Sequence, residues 1–150
     1  MKQVFPFAPG PSMGAPLLPL LIVVPVLLVA GYLIFAPRLV RFEISPQGLR
    51  IRGDLFYSRM IDASELMLDG ARPLDLTAVP EYKPKWRTNG TGMPGYKAGW
   101  FKLQNGHKAL LFVGDPKRVV YIPVRSGYSL LLSVGDTEQF LAALHNAVSN

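Results

Sequence analysis

The chain has 150 residues, 49% of them hydrophobic and 17% charged, so it is long enough for one folded domain and too apolar for general disorder. It contains no cysteine, which excludes disulfides, thiolate nucleophiles and cysteine-ligated metal centres. Sixteen Lys and Arg against ten Asp and Glu give a net charge of +6, which indicates a basic surface suited to anionic lipid or to an acidic partner.

A charge-free apolar run near the N-terminus is the first strong signal. It covers residues 17–36, and at about 1.5 Å per residue it would extend about 30 Å, the hydrocarbon thickness of a bilayer. The sequence therefore predicts one transmembrane helix over residues 17–36, after a short N-terminal tail over residues 1–16. A cleaved signal peptide is the alternative, but the run exceeds the usual apolar segment of about 7–15 residues and lacks its cleavage pattern.

The charges beside this run predict its orientation. Lys2 precedes it, whereas Arg38, Arg41, Arg50 and Arg52 follow it. Positive charge near a span tends to remain cytoplasmic. The prediction is a single-pass protein whose domain, residues 38–150, is cytoplasmic.

Short alternating stretches then predict strands. A β-hairpin is predicted from two alternating stretches, residues 39–44 and 49–52, which flank a turn that contains Pro46 and Gly48. A third strand is expected over residues 55–61, and two shorter ones over residues 66–68 and 74–76.

A long Gly/Pro-rich loop is predicted next, over residues 77–97, because Pro, Gly, Thr and Asn are dense there. Four further strands are expected over residues 98–103, 109–113, 119–123 and 128–132. Loops of this length in compact domains are usually functional or mobile.

An amphipathic helix ends the chain. Asp136 is suited to be its N-cap, with Gln139 three residues later. Apolar side chains follow at helical spacing on one face, namely Phe140, Leu141, Leu144 and Val148. The predicted fold class is therefore mostly β: a pleckstrin-homology-like (PH-like) barrel of about seven antiparallel strands, capped by a C-terminal amphipathic helix and preceded by one transmembrane helix.

A family resemblance supports this fold class. Residues 87–101 read RTNGTGMPGYKAGWF, and Asn105-Gly106, residues 120–123 and residues 127–133 follow. These segments resemble the bacterial PH-domain proteins, in particular a membrane-anchored subgroup, over about residues 42–144. The resemblance implies a fold and a place at the bacterial inner (plasma) membrane, with no catalytic residues and no cofactor.

Basic and aromatic residues around the predicted loop form the candidate binding site. From Glu81 to Lys108 inclusive there are six Lys and Arg residues, and Glu81 is the single acid. Such a cluster attracts anionic head groups or an acidic partner. The alternative is that the lysines solvate a sheet edge while the aromatic residues divide between core and surface. The candidate residues for partner or lipid binding are Lys83, Lys85, Trp86, Arg87, Tyr96, Lys97, Trp100 and Lys102.

Four glycines lie in the same segment: Gly90, Gly92, Gly95 and Gly99. Glycine-rich loops that cradle phosphates usually lie between a strand and a helix, whereas this segment leads into a strand. We therefore expect these glycines to provide turns and close packing.

The pattern predicts no enzyme and no metal site. His107 and His145 lie on separate elements without metal-ligand spacing, and no G-x-S-x-G motif occurs. The hypothesis is a non-enzymatic, membrane-anchored PH-like module for protein interaction or self-assembly, in contact with lipid through its transmembrane helix. The alternatives are binding of anionic lipid head groups through the Lys83–Lys108 region, and an accessory subunit of a membrane enzyme or transporter. No nucleic-acid partner is expected.

Overall fold

The computed structural model describes residues 17–52 and 58–150, and the chain divides after Phe35 into two compact units. The first unit holds most of helix α1, Leu17–Leu39. The second unit holds every strand of the described chain and the C-terminal helix. The predicted tail, residues 1–16, lies outside the described residues.

The N-terminal helix corrects one prediction. Over residues 17–52 and 58–150, the structure contains no helix long and apolar enough to cross a membrane. On this finding the transmembrane helix predicted over residues 17–36 is wrong. The predicted location, which depended on it, stays untested.

The first sheet has three antiparallel strands in the order β1-β2-β3: β1 Arg41–Ser45, β2 Gly48–Arg52 and β3 Arg59–Asp62. The β1–β2 pair confirms the predicted hairpin. The third strand, predicted over residues 55–61, is found at Arg59–Asp62; residues 55–57 of that prediction lie outside the described residues.

The second sheet has six strands and contains one parallel pair. Its order is β4-β8-β9-β7-β6-β5, and only β7 and β9 pair in parallel. Within residues 17–52 and 58–150, nine strands in two sheets thus replace the predicted barrel of about seven antiparallel strands, a layout that fits a PH-like fold. The strands are β4 Arg72–Leu74, β5 Pro84–Met93, β6 Tyr96–Leu103, β7 Lys108–Val113, β8 Val119–Pro123 and β9 Ser129–Ser133.

The predicted loop over residues 77–97 is largely a strand, so this prediction is wrong. After a 3-10 turn at Pro80–Tyr82, β5 extends through ten residues and pairs with β6. Most side chains of β5 are exposed and it lies at the end of its sheet. Because few of its side chains are buried, its sequence lacks the alternation of apolar residues that reveals a half-buried strand.

The two short strands predicted over residues 66–68 and 74–76 also differ from the structure. Leu66 makes only an isolated bridge to Val124, and a 3-10 turn, Leu68–Gly70, follows it. β4 ends at Leu74 instead of beginning there. Buried leucines produced the strand pattern: Leu66, Leu74 and Leu76 are all buried, but as parts of turns and of a short edge strand.

Helix α2, Thr137–Ser149, confirms the predicted C-terminal helix and its cap. The side chain of Asp136 accepts a hydrogen bond from the backbone N–H of Gln139 at 3.0 Å. Replacing Asp136 with alanine is expected to lower the free energy of unfolding by about 0.5–2 kcal/mol, measured by chemical denaturation. The variant Asp136→Asn keeps the acceptor oxygen and should remain close to wild type; equal losses in both variants would assign the effect to the charge of Asp136 and not to its hydrogen bond.

Both faces of the central strands of the six-stranded sheet are buried. One face packs against the three-stranded sheet and α2, and the other is covered by the segment after β4. Strands buried on both faces read as continuous apolar runs, which is why β7 and β9 were predictable. The buried residues on the face towards the three-stranded sheet and α2 include Leu49, Leu110, Phe112, Leu132 and Leu144. Those on the opposite face include Leu76, Phe101, Leu111, Val119 and Leu131.

Candidate functional site

The β5–β6 hairpin depends on glycines at a cross-strand pair. Gly90 lies opposite Gly99, with φ of +139° and +115° respectively. A Cβ added to Gly90 would lie 2.3 Å from the carbonyl oxygen of Ala98, so no other residue fits without moving the backbone. Gly95, with φ of +80°, forms the turn between the strands. The expectation that these glycines serve turns and close packing is confirmed at all three positions.

An open groove, which we call the β5 groove, lies beside this hairpin and has a volume of about 480 Å³. It contains three cationic side chains and no acidic one among its lining residues. The basic lining is Lys85, Arg87 and Lys97; the rest is Pro84, Trp86, Gly92, Met93, Pro94 and Phe101.

Gly92 lies over the ring of Phe101 at the floor of the groove. A Cβ added at Gly92 would lie 3.7 Å from Cζ of Phe101, whose side chain is only 4% exposed, so only a small part of the ring is accessible from the groove. The backbone φ of Gly92 is not in the left-handed region, unlike that of Gly90. Gly92 is therefore free of backbone strain, and its effect is to leave space.

Trp86 holds two lysines at the edge of the groove. Its side chain is 51% exposed. The Nζ atoms of Lys85 and Lys102 lie 4.9 Å and 5.5 Å from the centre of its ring. Contacts of this kind between a cation and an aromatic face contribute about 0.5–1 kcal/mol at exposed positions. Trp86 thus keeps positive charge close to the groove.

The structure divides the eight candidate residues into three sets. Four line the β5 groove, and Lys102 joins them through Trp86. Lys83 lines an adjoining cavity of about 290 Å³, which Lys97 also lines. Tyr96 and Trp100 lie elsewhere.

Tyr96 and Trp100 depart from the predicted site for two different reasons. Tyr96 is only 6% exposed and belongs to the core. Trp100 packs against that core on the opposite face of the sheet from its neighbour Phe101, because successive strand residues point to opposite faces. It lies 4.9 Å from the ring of Tyr128 and 4.4 Å from Nζ of Lys108.

Sequence reasoning missed the apolar part of the groove and the edge beside it. Met93 and Phe101 gave no signal of their own, because the groove forms only when β5 and β6 pair. Within the described residues, no strand pairs with the outer edge of β5. Such an edge presents unpaired backbone N–H and C=O groups to another chain. The strand itself could not be recognised from its polar sequence.

Two carboxyl groups outside the β5 groove have shifted pKa values. Hydrogen bonds from the hydroxyl and the backbone N–H of Thr77 hold the pKa of Asp75 below its usual value of 3.8. A hydrogen bond from Arg118 likewise lowers the pKa of Asp115. A lowered folded-state pKa stabilises the fold above pH 3.8, and this contribution is lost as the pH falls through the folded-state pKa.

Replacing Thr77 with valine is expected to raise the pKa of Asp75 towards 3.8, because the hydroxyl donor is lost while the backbone donor remains. An NMR titration of the side-chain carboxyl resonances measures the change. Asp115 serves as the internal control and should keep its pKa. An unchanged pKa of Asp75 would contradict the assigned cause.

Metal binding finds no support in the part of the chain that the structure describes. No group of three or more His, Asp or Glu side chains there is placed to hold an ion. The candidate site is therefore a binding surface of three basic side chains and apolar groove residues, beside a strand edge that no described strand covers.

Comparison with known proteins places this surface within a family. The family model described as the bacterial PH domain matches residues 72–148, just over half of the chain, from the start of β4 almost to the end of α2. The predicted membrane-anchored subgroup is not confirmed by this match. No curated protein and no solved structure matches the chain significantly.

Proposed function

Because the chain belongs to the bacterial PH-domain family, we propose that it is a non-catalytic module that binds a protein partner through the outer edge of β5. Membership of this family suggests a lipid-binding or protein-binding module. The observation that carries the choice of a protein is the ten-residue edge strand without a described neighbour, directly beside the β5 groove.

An exposed edge of this kind favours binding by strand addition. In that mode an extended segment pairs its backbone with the edge, and pockets for alternate side chains provide specificity. β5 supplies the edge through Pro84–Met93, and the groove supplies the pocket.

Self-assembly through the same edge is less well supported. Two copies of β5 paired with each other would bring together strands that each carry Lys85 and Arg87 and no acidic residue. Like charges on paired strands are destabilising. The charge of β5 therefore favours a partner different from the chain itself.

Binding of anionic lipid head groups is a second candidate function. The two lysines that lie against the exposed ring of Trp86 favour it. Each Lys or Arg near an anionic membrane surface contributes about 1 kcal/mol. Head-group binding needs only the cationic side chains and does not use the outer edge of β5.

Strand addition is tested with three versions of one fluorescent peptide of alternating glutamate and valine, titrated onto the full chain. The first is unmodified, and each of the others is N-methylated on one of the two alternating sets of residues. An added strand uses only every second N–H towards β5. One methylated peptide is therefore expected to lose binding while the other retains it. Similar behaviour of the two methylated peptides would contradict strand addition.

A further inference from the structure

The lining of the β5 groove specifies the chemistry of its partner. We infer that the bound segment is acidic, with carboxylates that contact Lys85, Arg87 and Lys97 and an apolar side chain that contacts Phe101 at Gly92. This inference rests on the proposed function, since it names the class of segment that the edge of β5 binds.

The charges in the groove have no acidic counterpart in its lining. Three of the nine lining residues are cationic and none is acidic. The ion pairs found within residues 17–52 and 58–150 join Arg52 to Glu43 and Arg118 to Asp115, and neither involves the groove. Complementary charge on a partner speeds its association and selects it over neutral competitors. A segment with carboxylates is the complement of this lining.

The floor of the groove adds a requirement for an apolar side chain. Met93 and Pro94 lie beside the space above Phe101 that Gly92 leaves open. In an added strand every second side chain points to the same face. A segment in which acidic and apolar residues share one face would therefore contact the cations and the floor together.

The positions of the cations favour a segment over a single anionic group. Lys97 lies on β6 opposite Gly92, five residues along β5 from Arg87. Several carboxylates along one segment can contact both positions, whereas a single head group or a free phosphate would contact one of them.

The charge requirement is tested by titrating the full chain with three labelled peptides of about eight residues, a length within the usual range for strands. The acidic peptide repeats the unit Glu-Thr-Val-Thr, which places glutamate and valine on one face of the strand; the neutral and basic peptides carry threonine and lysine in place of glutamate. The acidic peptide is expected to bind at least about tenfold more tightly than the neutral one, with an advantage that shrinks as salt screens the charges.

The outcomes separate this inference from the proposed function. Equal affinity for the acidic and neutral peptides would overturn the acidic preference and leave strand addition intact. Binding of no peptide, together with binding to phosphatidylglycerol vesicles, would overturn both in favour of lipid head groups. Binding of neither peptides nor vesicles would also overturn both.

The apolar contact is tested with Gly92→Leu, which fills the space above Phe101 without backbone strain. We expect about tenfold weaker binding of the acidic peptide and an unchanged melting temperature. The matched control is Gly135→Leu, because Gly135 has no atom within 4 Å of its added Cβ and does not line the groove. Equal affinity of wild type and Gly92→Leu would overturn the apolar contact.

Discussion

Replacing Gly90 with alanine is expected to lower the free energy of unfolding by about 2–6 kcal/mol. The new Cβ would lie 2.3 Å from the carbonyl oxygen of Ala98 and 2.8 Å from Cα of Gly99, both of them backbone atoms. The left-handed φ of Gly90 adds strain of about 1–3 kcal/mol, and crowding adds a similar amount. Because the strain falls on the β5–β6 pair, we also expect weaker binding of the acidic peptide.

The control for this variant is Gly92→Ala, the same change two residues further along β5. Its Cβ would make an ordinary contact of 3.7 Å with Phe101. We expect its stability to lie within about 0.5 kcal/mol of wild type. Chemical denaturation of both variants measures the difference in stability. Equal stabilities would contradict the close approach of the β5 and β6 backbones at Gly90 and Gly99.

Reversing the three charges of the β5 groove is expected to weaken binding of the acidic peptide about 100-fold. The variant is Lys85→Glu, Arg87→Glu and Lys97→Glu. Each change replaces a contact between partly exposed opposite charges with a repulsion, a difference of about 1 kcal/mol, and about 1.4 kcal/mol corresponds to a factor of ten. A titration by fluorescence anisotropy at low salt measures the loss.

A second triple variant separates local charge from net charge. Arg50, Lys117 and Arg125 are exposed and do not line the groove. Their replacement by glutamate changes the net charge from +6 to 0, as the groove variant does, since each substitution removes two units. We expect this control to bind the peptide within about threefold of wild type. Equal losses in the two variants would assign the effect to overall charge.

The sequence predicted those elements whose burial leaves a periodic or continuous apolar pattern. β7, β8 and β9 are buried on both faces or nearly so, and helix α2 has one apolar face and a polar cap. β5 left no such pattern, because most of its own residues are polar side chains and glycines that lie exposed at a sheet edge. The apolar run of α1 was predicted to span a membrane, an interpretation that the described helix does not support.

The candidate site was predictable in its charges and not in its shape. Lys85, Trp86, Arg87 and Lys97 were predicted together and do line one groove. Tyr96 was included on sequence proximity alone, and the strand alternation of β6 turns it into the core. Phe101 and the gap above it at Gly92 depend on the register of β5 against β6, which composition does not reveal.

Amide hydrogen exchange of the full chain, with and without the acidic peptide, tests binding at the edge of β5 most directly. Backbone N–H groups on the outer edge of β5 gain partners if a strand is added there. Strand addition at β5 predicts slower amide exchange in residues 84–93 and unchanged exchange in β4, at the opposite edge of the same sheet. Unchanged exchange in β5 while the peptide is bound, or protection in β4 instead, would contradict it.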